Sequence, residues 1–486
     1  MGEVCLASKK SLPGVGEETS MQNQNWQFMS KVVAVVAVTL LVVSVSTIAG
    51  AQKLPGNKDA AAAAPAGPHN WITPASSIER PADAGRRAHT NWVFGGTNGR
   101  VVEGQAQSQG LTTHYETPSS MGCLYKIPGN TGPCVPNINS PGGPQKGGWG
   151  AIAVVDAYDN PYAAGELQTF DAQFGLPAAN FVQVYANGNG DCSTPPFDPG
   201  WGLEESLDIE WAHTMAPKAT IVLVEACSNS FTDLLYAEYV AAGIVSSYGG
   251  GDVTNSWDSG EFSGENSYDA YFGYYYPFNT VYFASAGDSG CGASYPSSSP
   301  WIVSAGGTTV NRNAANLAFK SESCWAGSGG GTSSQEVYTS AFPYPTNGDM
   351  GPWANYQYGI FGQSNRSTPD MSFNADPNSG VVVYDCAYDD GTCFFYEVGG
   401  TSVSSPSLAG IVNNAANKLG VGHINPATSS GYYTAEENNL LYSQLGGAAA
   451  YSKNFYDVST GSNGCTVGKG WDYCTGVGSP RALLGK

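Results

Sequence analysis

Charged side chains are scarce: only 12% of the 486 residues are Asp, Glu, Lys or Arg, and just 20 of these are basic. Against 40 acidic residues this leaves a formal net charge of -20, which argues against nucleic acid and anionic membranes as partners and favours solubility at neutral pH. The shortage of Lys and Arg also suits an acidic medium, because little positive charge accumulates once carboxylates protonate. Histidine is rarer still, with five in all, His69, His89, His114, His213 and His423. No apolar run reaches the ~20 residues of a membrane-spanning helix, and no CxxC pair offers the thiolate spacing of a zinc site.

Glycine and proline are plentiful, at 63 and 29 residues, and predict many turns and long loops. Lys31, the apolar run Val32 to Val43 and the small-residue triplet Ala49-Gly50-Ala51 form an export signal over 1–51, so the mature chain is expected to start near Gln52. An uncleaved anchor is the alternative. Eleven cysteines become an even ten once Cys5 leaves with the signal, as in an oxidised, secreted protein. Close spacing suggests Cys123–Cys134, Cys386–Cys393 and Cys465–Cys474, leaving Cys192, Cys227, Cys291 and Cys324 for two longer links. Residues 52–116, rich in Ala, Pro and Gly, read as a loosely held arm or short propeptide.

From Gly150 the texture changes. Apolar runs at Gly150–Val155, Thr220–Val224, Asp252–Ser256, Val281–Ala284 and Ile302–Ala305 alternate with helical segments. One such segment carries Leu167, Phe170, Ala172 and Phe174, another spans Glu204–Ala216 before Pro217, and a third starts near Ser230. This order predicts a parallel sheet with crossover helices, whose active groups gather at the carboxyl ends of strands. Asp156, Trp257, Asp288 and Ser402 each follow a strand-like run.

The chain is organised around Gly399-Gly400-Thr401-Ser402-Val403-Ser404-Ser405-Pro406. A helix is expected to begin near Pro406, holding the Ser402 hydroxyl at a strand-to-helix turn where amide groups can bind an oxyanion. A serine nucleophile needs a base, and none of the five histidines has the context of a subtilisin-type triad. Glu204 and Asp208, four residues apart on one helix face, can instead take and share the Ser402 proton. Asp288, in Ala284-Ser285-Ala286-Gly287-Asp288-Ser289-Gly290, can donate to an oxyanion only when protonated. Each motif also has a plain structural reading as a turn, a solvated face or a capped loop.

Taken in order, Glu204-x-x-x-Asp208-Ile209-Glu210, the Asp288 segment and Gly400-Thr401-Ser402-x-x-x-Pro406 resemble the sedolisin family, the serine-carboxyl peptidases of subtilisin-like fold. Val155–Asp159, Ala172–Pro177, Asn255-Ser256-Trp257, Ser328–Gly331 and Pro369-Asp370 agree with it. The resemblance covers 117–486 and implies one large α/β peptidase domain with helices on both faces of a parallel sheet. It implies Ser402 as nucleophile, Glu204 as general base and acid, Asp208 as its proton-sharing partner and Asp288 as oxyanion donor, with Asp156 and Trp257 supporting the carboxyl network. It also implies one structural Ca2+ held by the side chains of Asp457 and Asp472 and the carbonyls of Val458, Gly468 and Gly470, hard oxygen donors suited to that ion. Where a serine is common in the family before the Gly-Thr-Ser triplet, this chain has Gly399.

The expectation is therefore a secreted, monomeric, acid-acting endopeptidase that cleaves polypeptides through an acyl-enzyme on Ser402. A tripeptidyl-peptidase type of exopeptidase and a non-catalytic binding protein on the same fold are the alternatives.

Overall fold

Short apolar runs punctuated by Gly and Asp form parallel strands, and the segments between them form the crossover helices that bury both sheet faces. The computed structural model describes residues 71–95, 100–101, 114–187, 192–273, 279–337, 356–359, 364–419 and 434–484. The expected export signal lies outside the described residues. Among the described residues, no helix is long and apolar enough to cross a membrane.

Two short strands come first, β1 (His89–Thr90) and β2 (Val93–Phe94), then β3 (Ala151–Ala157), β4 (Asn180–Ala186), β5 (Thr220–Ala226), β6 (Gly251–Asn255), β7 (Trp257–Gly260), β8 (Thr280–Ser285), β9 (Ser294–Tyr295), β10 (Val303–Arg312), β11 (Phe319–Cys324), β12 (Thr332–Val337), β13 (Asn365–Ser367), β14 (Met371–Asn374), β15 (Val381–Asp385) and β16 (Phe394–Gly399). The main sheet runs β11-β10-β8-β6-β3-β5-β4, with β14 also paired to β10. Its pairs are parallel except β10 with β11. The chain grows from β3 to β4 and β5 on one side, then crosses to β6, β8 and β10 on the other. That reversal at β3 is where α/β sheets open a crevice beyond their strand ends.

Six helices matter here: α1 (Pro118–Leu124), α2 (Ala163–Phe174), α3 (Pro199–Met215), α4 (Phe231–Ser247), α5 (Thr401–Leu419) and α6 (Thr434–Ser443). The two-residue period of a strand assigns the faces. Ile152 and Val154 of β3 pack with Leu203 and Leu207 of α3 and with Val403, Leu408 and Ile411 of α5. Ala151, Ala153 and Val155 pack on the other side with Leu234, Ala237 and Ala241 of α4. Asp156 shares the parity of Ile152 and Val154, so the strand itself turns that carboxyl toward α3.

Helix α3 starts earlier than the sequence suggests. Asp198 caps it by accepting from the amides of Gly200 and Trp201, with Pro199 in the first turn, and it ends at Met215 just before Pro217. Helix α5 also differs from expectation: it begins at Thr401, not near Pro406. Gly400, at φ +112°, turns the chain directly from β16 into the helix, and Pro406 sits within the helix. Lacking an N–H, Pro406 leaves the Ser402 carbonyl without its helical partner, and the Ser256 hydroxyl lies 3.3 Å from that oxygen.

Two other expectations change. Over its described residues 71–95, the stretch read as a loose arm is built into the body: β1 pairs with β7, β2 pairs with β16, and Trp92 is fully buried. The disulfides Cys123–Cys134 and Cys386–Cys393 form as the spacing suggests. Cys465 and Cys474, though near in sequence, are not joined. Asn463 accepts from the Cys291 amide and brings Cys465 onto Cys291, while Cys474 reaches Cys324 at the end of β11. Cys192–Cys227 is the fifth bridge.

Candidate active site

Helix α5 presents Ser402 in its first turn, and α3 presents Glu204 and Asp208 opposite. The Ser402 hydroxyl donates to Glu204 Oε2 at 2.8 Å. Asp208 lies close enough for its charge to act on Glu204, and it accepts from the Ser256 hydroxyl through Oδ1 at 2.8 Å. Ser402, Glu204, Asp208 and Asp156 are all fully buried.

Among the described residues, Glu204 Oε1, Asp208 Oδ2 and both oxygens of Asp156 have no N–H or O–H donor. Carboxyls so placed hold protons, because an unpaired buried charge is costly. Burial pushes Glu204 well above the usual carboxylate range, and the neighbouring Asp208 and Asp156 add to it. Burial raises Asp208 likewise, against the Ser256 hydrogen bond. Asp156 rises through burial, then through the fields of Asp208, Glu225 and Glu238. The result is a carboxyl chain from Asp156 to Ser402 that keeps protons far above the pH at which free carboxyls lose them.

Asp288 stands on the far side of Ser402. Its Oδ1 accepts from the Thr401 amide at 2.7 Å and the Thr401 hydroxyl at 2.8 Å. Its Oδ2 is buried, with no hydrogen-bond partner among the described residues. Burial pushes this carboxyl well up, opposed by the Thr401 donors and helped by Asp258. Held neutral, Asp288 has a proton to donate at Oδ2. Gly400 is what permits the approach: a Cβ there would lie 2.1 Å from the Asn91 carbonyl oxygen and 2.6 Å from Asp288 Oδ2.

Trp257 is buried, and its indole N–H donates to the Val155 carbonyl at 3.0 Å. It thus braces the backbone beside Asp156 and makes no hydrogen bond to a carboxyl. The described histidines, His89, His114 and His213, lie against Asp83, Glu116 and Asp171 and take no part in the Ser402 contacts.

Two residues of the site were not foreseen. Ser256, part of the recognised Asn-Ser-Trp stretch, bridges Asp208 and the Ser402 carbonyl. Asn91, in the stretch read as an arm, touches Ser402 twice: its amide donates to the hydroxyl at 3.2 Å, and its carbonyl accepts from the Ser402 amide at 3.0 Å. The only sequence signal was the apolar cluster Trp92-Val93-Phe94, too short to set a strand apart from a loop.

Near the C-terminus, Asp457 Oδ1 accepts from Gly470 N at 2.9 Å and Asp472 Oδ2 from Gly468 N at 3.1 Å, folding the glycine loop onto both carboxylates. The Tyr451 hydroxyl lies 3.2 Å from Asp457 Oδ1 and 3.4 Å from the Gly470 carbonyl. Thr475 Oγ1 similarly joins Asp472 to the Val458 carbonyl, at 3.1 and 3.4 Å. Four of the five expected donors therefore lie in two pairs, Asp457 with the Gly470 carbonyl beside the Tyr451 hydroxyl and Asp472 with the Val458 carbonyl beside Thr475 Oγ1, and their all-oxygen chemistry fits a hard cation. Among the described residues, no group of three or more His, Cys, Asp and Glu is arranged to hold a metal.

A parallel sheet covered on both faces, with a serine–carboxyl pair beyond the strand ends, defines a subtilisin-like protein with a serine–carboxyl site. No family model matches the chain. It is 29% identical over 420 residues to kumamolisin of Bacillus sp. (strain MN-32), covering 79% of this chain and 66% of that protein. It is 25% identical over 342 residues to sedolisin of Pseudomonas sp. (strain 101), covering 65% of this chain and 53% of that one. The chain thus spans between about half and two thirds of these curated relatives. In fold it matches Pseudomonas sedolisin, a serine-carboxyl proteinase complexed with pseudo-iodotyrostatin, at TM-score 0.53 and 22% identity over 76% of this chain and 96% of that one. The chain is thus similar in sequence to kumamolisin and sedolisin and in fold to Pseudomonas sedolisin.

Proposed function

We propose that this chain is an acid-acting serine-carboxyl endopeptidase that hydrolyses polypeptides through an acyl-enzyme on Ser402. One observation carries the reading: the Ser402 hydroxyl donates to Glu204, whose carboxyl is backed by Asp208. With the proton shared by the pair lying on Asp208, Glu204 takes the serine proton at Oε2 as Oγ attacks the scissile carbonyl. The Ser402 amide and the Asp288 carboxyl stabilise the oxyanion, and Glu204 returns the proton to the departing amine. Water then repeats the sequence on the acyl-enzyme. The mechanism needs Asp288 protonated, so activity is present in acid and is lost as pH rises through the raised pKa of this buried carboxyl.

Endopeptidase rather than tripeptidyl-peptidase action is supported by the segment that passes Ser402 at Asn91. Residues on the amino side of Asn91 run on through His89 to Trp71 without interruption, so that side of the cleft accommodates a continuing chain. Five disulfides support an oxidising, extracellular setting. We assign the catalytic domain to 117–486, acting as a monomer. One structural Ca2+ is assigned to Asp457, Val458, Gly468, Gly470 and Asp472, where the chain supplies the oxygens and the ion would tie the C-terminal loop to the domain.

The test is cleavage of a denatured protein from pH 2 to 8 by the wild type and by Ser402→Ala. Cleavage confined to acid and lost in the variant supports the reading; equal cleavage by both sinks it.

A further inference from the structure

Helix α1 ends beside a cavity that shares no residue with the serine–carboxyl site. Leu124 and Tyr125 at the end of α1, Phe319 of β11, and Tyr456 and Pro480 near the C-terminus enclose about 260 Å3, room for one bulky side chain. The Cys123–Cys134 bridge fixes one edge. Phe319 and Tyr456 meet edge to face with ring centroids 6.1 Å apart, and Phe319 is 39% exposed. Aromatic surface left open in a concave site gains by enclosing an apolar group.

The polar groups of the floor are taken up by one another. The Tyr125 hydroxyl donates to Glu322 Oε1 at 2.8 Å and accepts from the Asn374 amide at 3.1 Å. The hydroxyls of Thr308 and Ser479 complete the Glu322 carboxyl. Arg312 gives Nε and Nη2 to Glu116, and Nη1 to the carbonyls of Cys134 and Leu317. Burial raises the Glu322 carboxyl above its ordinary range, so in acid the floor carries no free negative charge to repel an anion.

Two further cations stand at the rim. Lys126 and Arg481 line the cavity, and among the described residues neither forms an ion pair. In a chain with 20 basic residues against 40 acidic ones, unpaired cations gathered at one apolar cavity form a local anion site. Lys126 is exposed and left-handed, at φ 55°, a position after a helix that glycine or asparagine fills at lower cost. Arg481 is tethered by one bond from Nη1 to the Ser452 carbonyl at 3.1 Å, which leaves the rest of its guanidinium fork for a carboxylate.

We propose that this cavity binds the C-terminal residue of a peptide, its bulky apolar side chain against Phe319 and Tyr456 and its free α-carboxylate on Lys126 and Arg481. The rim charges select the carboxylate, and the saturated floor selects an apolar side chain. An α-carboxyl ionises at about 3.3–3.7, so this anion persists in moderate acid. Binding does not depend on the peptidase reading; the supply of ligand does, because each cut frees one such end.

Calorimetric titration of the full chain at about pH 4.5, as wild type and as Ser402→Ala, reads the outcome with N-acetyl-phenylalanine and its amide as probes. In both chains the acid should bind at least tenfold tighter than the amide, the worth of one charge-assisted contact. N-acetyl-alanine should bind at least tenfold weaker than N-acetyl-phenylalanine, with that ratio shrinking in Phe319→Ala. Lys126→Ala combined with Arg481→Ala should erase the preference for the acid, and Lys126→Glu should reverse it. Equal affinity for acid and amide overturns the inference, as does an acid preference that survives the double variant. Octanoate binding tighter than N-acetyl-phenylalanine, or no binding of either up to about 10 mM, overturns it too. A wild type that cleaves nothing yet shows the acid preference leaves this inference standing and sinks only the peptidase reading.

Discussion

Ser402 and Glu204 are 198 residues apart in sequence and 2.8 Å apart in space, joined by a hydrogen bond from the serine hydroxyl to the carboxyl. Glu204→Gln keeps the shape and removes the base. The expected loss in kcat/KM is at least about a thousandfold, close to that of Ser402→Ala, because the two residues act as one unit. A loss below tenfold would remove Glu204 from its assigned role.

Asp288 must be protonated to donate, whereas an asparagine carries its N–H at every pH. Asp288→Ala should lower kcat/KM by about a hundredfold or more. Asp288→Asn should lose less, and its activity should persist further toward neutral pH. Identical alkaline limbs in wild type and Asp288→Asn would separate Asp288 from the pH limit.

Stability should fall as pH rises. Burial pushes Asp171 up to about 7, Glu225 to about 8 and Glu397 to about 8. Between the ordinary carboxyl range near 4 and these values, the folded chain binds more protons than the unfolded one. Raising pH across that window therefore removes stability, fully present below about 4 and lost progressively toward 8. Thermal melts should show Tm dropping by on the order of 10 °C from pH 4 to pH 8; a flat or rising Tm contradicts the protonated core.

Gly400→Ala places a methyl group 2.1 Å from the Asn91 carbonyl at a backbone φ of +112°. Strain of this kind costs about 1–3 kcal/mol. Tm should drop by several degrees, and kcat/KM should fall, because the turn that sets Ser402 beside Asp288 is displaced. An unchanged Tm would show that the close approach is not required.

Calcium should raise Tm of chelator-treated protein, by about 2.7 kcal/mol of stabilisation at a hundredfold excess over Kd. Asp457→Asn should lose most of that rise. No response to calcium in the wild type would withdraw the ion from this loop.

Motifs that lie on single elements were legible in the sequence. Glu204 and Asp208 share a helix face by their spacing alone, and the short apolar runs Gly150–Val155 and Val281–Ala284, which precede Asp156 and the Asp288 turn, read as buried parallel strands. Long-range pairing was less so. Cys474 chooses Cys324 over Cys465 through the course of a loop that no spacing encodes. Asn91 joins the site only because β1 finds β7, a pairing between segments about 170 residues apart in which two residues from each strand meet. Such short strands leave almost no periodic trace.

Pro406 removes one rung of helix α5 and leaves the Ser402 carbonyl for Ser256. A residue with an amide at 406 would repair the helix and compete for that same oxygen. The replacement that most improves the helix would then loosen Ser256, the hydroxyl that also positions Asp208. At this turn, local regularity and the proton chain draw on one acceptor, and the chain has left it to the proton chain.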